Sequence, residues 1–198
     1  ALYCRSNTTP DEMQLLIRKG MDVNFIPQSN NPKRISLLQQ AICNHQSSIA
    51  KLLICSGANV NYIDLKENTA LINACATNQI EIVEQLLSAG AYVTLSRALL
   101  IACYKNHLKL VKLLINRGVN VNYENGVSKT PLMVTSENNY VELVELLLKS
   151  GVDVNYLNKY GQNALMNLCT LRMVDISPQT DEEDKRIYFI DRIRQRKE

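Results

Sequence analysis

The feature that most limits what this chain can become is a phrase that returns five times: two apolar residues, two variable ones and a glycine, with Val-Asn beginning three residues later. It stands as Leu16-Ile17-Arg18-Lys19-Gly20, Leu53-Ile54-Cys55-Ser56-Gly57, Leu86-Leu87-Ser88-Ala89-Gly90, Leu114-Ile115-Asn116-Arg117-Gly118 and Leu147-Leu148-Lys149-Ser150-Gly151. After Gly90 the pair is Val93-Thr94 instead of Val-Asn. The glycines lie 37, 33, 28 and 33 residues apart. A period near 33 marks an array of one small supersecondary unit that cannot bury its apolar face alone and must stack on copies of itself.

Working backward from each glycine gives the unit its parts. Ile82-Val83 with Leu86-Leu87, Leu110-Val111 with Leu113-Leu114, and Leu143-Val144 with Leu146-Leu147 fall at the spacing of one helical face. The spacing predicts second helices, each closed by its glycine, because the residue past a helix end often needs positive φ. First helices are expected to open 21 residues before each glycine, at Ser36-Leu37-Leu38, Thr69-Ala70-Leu71, Arg97-Ala98-Leu99 and Thr130-Pro131-Leu132. Thr9-Pro10-Asp11-Glu12 combines an N-cap, proline at the first helical position and a glutamate three residues on, so a helix should start there and end at Gly20.

With Thr130-Pro131-Leu132 the chain resembles the ankyrin-repeat family, whose unit carries a Thr-Pro-Leu-His-x-Ala signature; Thr69-Ala70-Leu71 and Asn163-Ala164-Leu165 are weaker copies. The resemblance covers nearly the whole chain. It implies an all-α fold: an ankyrin-repeat solenoid of about six helix-turn-helix repeats with short β-hairpin or β-turn fingers. One domain over 1–198 is expected, with repeats near 1–24, 25–61, 62–94, 95–122, 123–155 and 156–198. The signature histidine is Gln39, Ile72, Leu100 and Met133 here, so its hydrogen bonds must be replaced or absent, which lowers the expected stability. His107 matches the histidine that often follows the turn between the helices, where Asn78, Asn106 and Asn139 replace the usual glycine; Asn tolerates the left-handed region better than most residues.

Departures from the period locate the irregular parts. The linker from Phe25 to Ile35 is four residues longer than the norm and should protrude. Between Gly90 and Gly118 five residues are missing from the finger, which predicts a notch with Tyr104 and Lys105 beneath the lost tip. After Leu171 the second helix is displaced by Asp175 to Thr180. Residues 181–198, with Ile187, Phe189, Ile190 and Ile193, should form an irregular capping helix or the start of a longer protein.

Chemistry is less evident than architecture. The 198 residues are 46% hydrophobic and 21% charged, an ordinary globular composition, and a net charge of +3 is far from the basic load expected of nucleic-acid binding. Neither a long apolar run nor a signal-peptide core is present. Phosphate-loop, dinucleotide, zinc-protease and nucleophile-elbow motifs are absent, so no catalytic residue, cofactor or metal is assigned. Cys75, Cys103 and Cys169 share one repeat position beside the small-residue slot, Cys4 and Cys43 flank it, and Cys55 lies in the last turn of a second helix. Without a C-x-x-C pair they read as reduced packing thiols, consistent with the cytoplasm or nucleus. The run Asp181 to Asp184 reads as a helix N-terminus favoured by negative charge.

Recognition should then fall to side chains that escape packing. The resemblance implies that such arrays bind a partner protein or peptide through finger tips and the exposed face of the first helices. Here those positions are Ile63, Leu65, Lys66 and Asn68 with Ala76 and Thr77; Glu124, Val127 and Lys129 with Glu137 and Asn138; and Leu157, Lys159, Tyr160 and Gln162 with Thr170 and Leu171. Ile63, Leu65, Leu157 and Tyr160 are candidate anchors. Separately, Phe25, Tyr62, Tyr123 and Tyr156 all stand five residues after a helix-ending glycine. This aromatic ladder either grips an extended peptide or nucleobases, or packs against neighbouring fingers and stiffens the row. Asp64, Glu67 and Glu124 nearby argue against nucleic acid. The expected function is a monomeric, non-catalytic protein-interaction module. The alternatives are the substrate-recognition arm of a ubiquitin-ligase adaptor or other multidomain effector, and a small-molecule or nucleic-acid sensor.

Overall fold

Residues 8–26, 34–92, 94–168 and 191 are described by the computed structural model, which falls into two compact units, Ala1–Ala98 and Leu99–Glu198. The first contains α1 (Pro10–Arg18), α2 (Leu37–Cys43), α3 (Ser47–Cys55), α4 (Ala70–Ala76), α5 (Ile80–Ser88) and the start of α6 (Leu95–Tyr104). The second contains the rest of α6, then α7 (Leu108–Asn116), α8 (Pro131–Glu137), α9 (Val141–Lys149) and α10 (Ala164–Leu168). Among the described residues no strand forms, and the architecture is an all-α repeat solenoid.

In the first unit α1, α3 and α5 pack in sequence as one layer while α2 packs on α4 as the other; in the second α7 packs on α9 and α8 on α10. The apolar stripes expected of second helices are the contact surfaces. Leu53, Val83 and Leu86 are fully buried in the first unit, as are Leu110, Leu114, Leu143 and Leu147 in the second. Each such side chain contributes roughly 1.5–3 kcal/mol by leaving water. Helix ends follow the sequence signals. Thr9 and Ser36 form reciprocal capping boxes with Glu12 and Gln39, and Thr69 and Thr130 accept from the Ile72 and Met133 amides. Gly57 and Gly151 leave their helices at φ 83° and 78°, and Asn78, Asn106 and Asn139 adopt positive φ between first and second helices. His45 holds the same conformation at the equivalent turn.

The signature-histidine slot has two solutions. Gln39 is wholly buried; its Oε1 accepts the Ser36 amide (2.9 Å) and its Nε2 donates to the Asn68 carbonyl (2.8 Å) in the next finger. Ile72, Leu100 and Met133 are buried apolar side chains that forgo those bonds.

One expected start is displaced. Helix α6 begins at Leu95, two residues before Arg97, and is 10 residues long where α4 and α8 have 7. Three other first helices start thirteen residues after their glycine, at Ala70, Pro131 and Ala164, whereas α6 starts five after Gly90. With no finger to finish, the chain winds almost at once: the Thr94 carbonyl accepts the Ala98 amide at 2.8 Å, while the Thr94 hydroxyl bonds that of Thr69 at 2.7 Å. All of the expected capping helix at 181–198 except Asp191, the tip of the long linker at 27–33, and Cys4, Cys169, Thr170 and Leu171 lie outside the described residues.

Candidate functional site

Three fingers are each organised by one short polar side chain. Asp64 in the first unit, and Asn125 and Asn158 in the second, stand seven residues after a helix-ending glycine. The carbonyl of each accepts the amide three residues on, from Glu67, Ser128 and Gly161 (2.9, 2.9 and 2.8 Å), closing a β-turn. Its Oδ1 takes two further amides: Lys66 and Asn68 on Asp64 (2.8 Å each), Val127 and Lys129 on Asn125 (3.1 and 2.9 Å), and Tyr160 and Gln162 on Asn158 (3.0 Å each). Asp64 and Asn158 are buried beneath the tips they hold. In the sequence Asp64 reads as a surface charge, and nothing marks Asn125 or Asn158 as functional; the signal available was an Asp or Asn at one fixed offset from three of the five glycines.

Because the turn residues bond inward, the residues between them point out. Leu65 is 66% exposed and Ile63 47% in the first unit; Val127, Leu157 and Tyr160 are 65%, 55% and 67% exposed in the second. Lys66 and Lys159 are exposed beside them, and Gln162, whose backbone closes its turn, is exposed too. The Lys159 Nζ donates to the Gly126 carbonyl (3.2 Å) and lies 5.1 Å from the centre of the Tyr160 ring. Lys129 forms an ion pair with Glu137 on α8. Tyr104 and Lys105 are exposed at the end of α6, and Ala76 and Thr77 are half-buried at the end of α4. Tyr92, 69% exposed just after Gly90, joins these surface aromatics although no repeat of the pattern points to it.

The aromatic ladder divides. The Tyr62 hydroxyl donates to the Arg34 carbonyl (2.8 Å) and the Tyr156 hydroxyl to Glu124 Oε2 (2.9 Å), each tying a finger to the one before it. Phe25 is exposed and Tyr123 half-buried. The hydrogen bond from Tyr156 is the chief reason that the Glu124 carboxyl sits below its ordinary range, and it raises the Tyr156 phenol in turn.

The asparagine of the repeated Val-Asn phrase fastens successive repeats. Asn24 accepts the Asn59 amide (2.7 Å), Asn61 bonds both the Gly90 carbonyl (2.9 Å) and the Tyr92 amide (3.2 Å), and Asn122 accepts the Asp153 amide (2.9 Å). Thr94, which takes the place of asparagine in the fingerless repeat, has its hydroxyl on Thr69 instead. No group of three or more His, Cys, Asp or Glu side chains gathers to hold a metal among the described residues, and no helix there is long and apolar enough to cross a membrane. Burial pushes the Cys75 and Cys103 thiols up to about 12.

Stacked helix pairs joined by turn-built fingers define a helical repeat protein. The family model for "Ankyrin repeats (3 copies)" matches residues 2–97 and 98–176, and the chain belongs to the ankyrin-repeat family. No curated protein matches it. Ankyrin repeats are in general protein–protein interaction modules.

Proposed function

We propose that this chain is a non-catalytic docking module that holds a partner protein or peptide at its finger tips and along the exposed face of its first helices. The observation that carries this reading is the presentation of Leu65, Ile63, Leu157 and Tyr160: large apolar side chains left in water on turns whose backbone is locked by Asp64 and Asn158. Interface energy concentrates in a few such anchors, and a preformed turn loses little conformational entropy when they are covered. Lys66 would line the rim in the first unit, and Lys105, Glu124, Val127, Lys129, Lys159 and Gln162 would line it in the second, with Tyr104 an additional aromatic contact there. In the ladder, Tyr62 and Tyr156 brace the fingers, which favours a supporting part for them over direct contact. The buried, unactivated thiols of Cys75 and Cys103 agree with life in a reducing compartment, the cytoplasm or nucleus.

The test is an affinity pull-down comparing the parent chain with a Leu65→Ser, Leu157→Ser, Tyr160→Ser variant that melts at the same temperature. A protein retained by the parent and lost by the variant supports the reading. Identical retention by both removes the tips as anchors.

A further inference from the structure

The fingers carry a charge pattern as well as an apolar one. In the first unit Arg34, Lys66 and Arg97 stand with Asp64 and Glu67; in the second Lys105, Lys129 and Lys159 stand with Glu124 and Glu137. The carboxylates are engaged within the protein. Asp64 is buried on two backbone amides, Glu67 lies 3.6 Å from Arg97, Glu124 accepts the Tyr156 hydroxyl and Glu137 is paired with Lys129. The cations are engaged less completely. Among the described residues Arg34, Lys66 and Lys105 are exposed and form no ion pair, while the Lys159 Nζ rests on a carbonyl and an aromatic face and its charge also acts on the Glu124 carboxylate. In each unit such a lysine adjoins an exposed apolar side chain in sequence, Leu65-Lys66 in the first and Lys159-Tyr160 in the second.

We propose that the segments held by these fingers are acidic, apolar-rich peptides. In the first unit an aliphatic or aromatic side chain of the ligand covers Leu65 while its carboxylate meets Lys66; in the second the same pairing falls on Tyr160 and Lys159. This rests on the reading that the finger tips are the docking surface. Ligand carboxylates would find in Lys66 a cation with no ion-pair partner among the described residues and in Lys159 one that only the nearby Glu124 offsets, whereas ligand cations would compete with internal partners for the nearby carboxylates. Complementary rim charges of this kind act mainly on association rate and specificity. A polyanion without apolar groups would satisfy the lysines and leave Leu65 and Tyr160 in water, which is why a peptide is preferred to nucleic acid.

The full chain would be used to select from a random peptide display library, and the enriched sequences would be synthesised and titrated by fluorescence anisotropy. Enrichment of Asp and Glu together with Leu, Ile, Phe or Tyr is expected. A Lys66→Glu, Lys159→Glu variant should bind those peptides about tenfold more weakly, with the loss shrinking at high salt. Because both lysines are exposed, the variant should melt as the parent does. Enriched neutral or basic peptides whose binding is lost in the Leu65→Ser, Tyr160→Ser variant would overturn this proposal and leave the docking reading intact. Peptides indifferent to both variants would overturn both. Single-stranded polynucleotide that outcompetes the selected peptides would overturn the preference for an acidic peptide.

Discussion

The Asn61 side chain reaches from one repeat to the next, donating to the Gly90 carbonyl at 2.9 Å and accepting the Tyr92 amide at 3.2 Å. One amide group thereby satisfies both a carbonyl and an amide just past the end of α5. Replacing it, Asn61→Ala, should cost about 1–2 kcal/mol in urea-induced unfolding, since two hydrogen bonds worth about 1 kcal/mol each are lost while water compensates in part. A change below the error of the measurement would mean that these bonds are decorative.

Gln39 should be far less tolerant. It is fully buried and serves both its own helix cap and the Asn68 carbonyl of the next finger. Gln39→Ala leaves a void and a carbonyl without its donor, so a loss of about 2–4 kcal/mol is expected. Met133→Leu, in the equivalent buried slot, should cost less than about 1.5 kcal/mol. Comparable losses in the two variants would contradict the polar role assigned to Gln39.

The last turn residue of the fingers offers a reciprocal pair. Glu67 has φ 58° and Gly161, at the same place in another finger, φ 71°. Glu67→Gly should stabilise by about 0.5 kcal/mol, relief of left-handed strain being partly offset by the greater freedom of an unfolded glycine. Gly161→Ala should destabilise by about 1 kcal/mol although nothing lies within 4 Å of the added methyl, because the conformation itself is strained. Melting temperatures moving the other way would exclude strain as the cause.

Glu124 and Tyr156 make one interaction visible to pH. The phenol hydrogen bond holds the Glu124 carboxyl below its ordinary 4.5, and the carboxylate holds the Tyr156 phenol above 10.0. A depressed acid stabilises above its unfolded value and loses that contribution as pH falls through the folded one. A raised phenol stabilises below its unfolded value and loses it as pH rises through the folded one. The pair therefore contributes evenly between about pH 4.5 and 10 and fades beyond both ends. In Tyr156→Phe the Glu124 carboxyl, followed by carbon-detected NMR, should titrate at higher pH than in the parent; an unchanged titration would refute the assignment.

Cysteine labelling should resolve two classes. Cys55 is an exposed free thiol, whereas Cys75 and Cys103 are buried with thiols pushed up to about 12. Iodoacetamide at mildly alkaline pH should modify Cys55 in the folded protein and reach Cys75 and Cys103 only after denaturant is added. Peptide mass spectrometry distinguishes the sites, and early labelling of Cys75 would show that the first unit opens far more readily than its buried core implies.

Periodicity made the second helices legible. Ile82, Val83 and Leu86 recur with the spacing of one helical face, and that face is the buried side of α5. Cap chemistry placed Thr9 at a helix start, and the 21-residue offset from each glycine placed Ser36, Thr69 and Thr130. The start of α6 was not legible, because counting 21 residues back from Gly118 assumes a first helix of normal length, and without a finger nothing delays helix formation until Arg97. The exposed tips follow from their offsets, yet the side chains that hold them do not. An aspartate or asparagine in a loop looks like solvated surface until its two amide partners are seen, and spacing carries no record of which hydrogen bond a side chain will choose. The replacement bonds of Gln39 were hidden for the same reason, since its partner Asn68 lies in the following finger.

Asp64, Asn125 and Asn158 also separate two kinds of sequence freedom. The Oδ1 of each clamp grips only backbone amides, so the identities of Leu65, Lys66, Val127 and Tyr160 do not enter the bonding that shapes the turns. The tips are therefore interchangeable lettering on a fixed mount: new specificities can be written there by substitution, one finger at a time, without renegotiating the fold beneath.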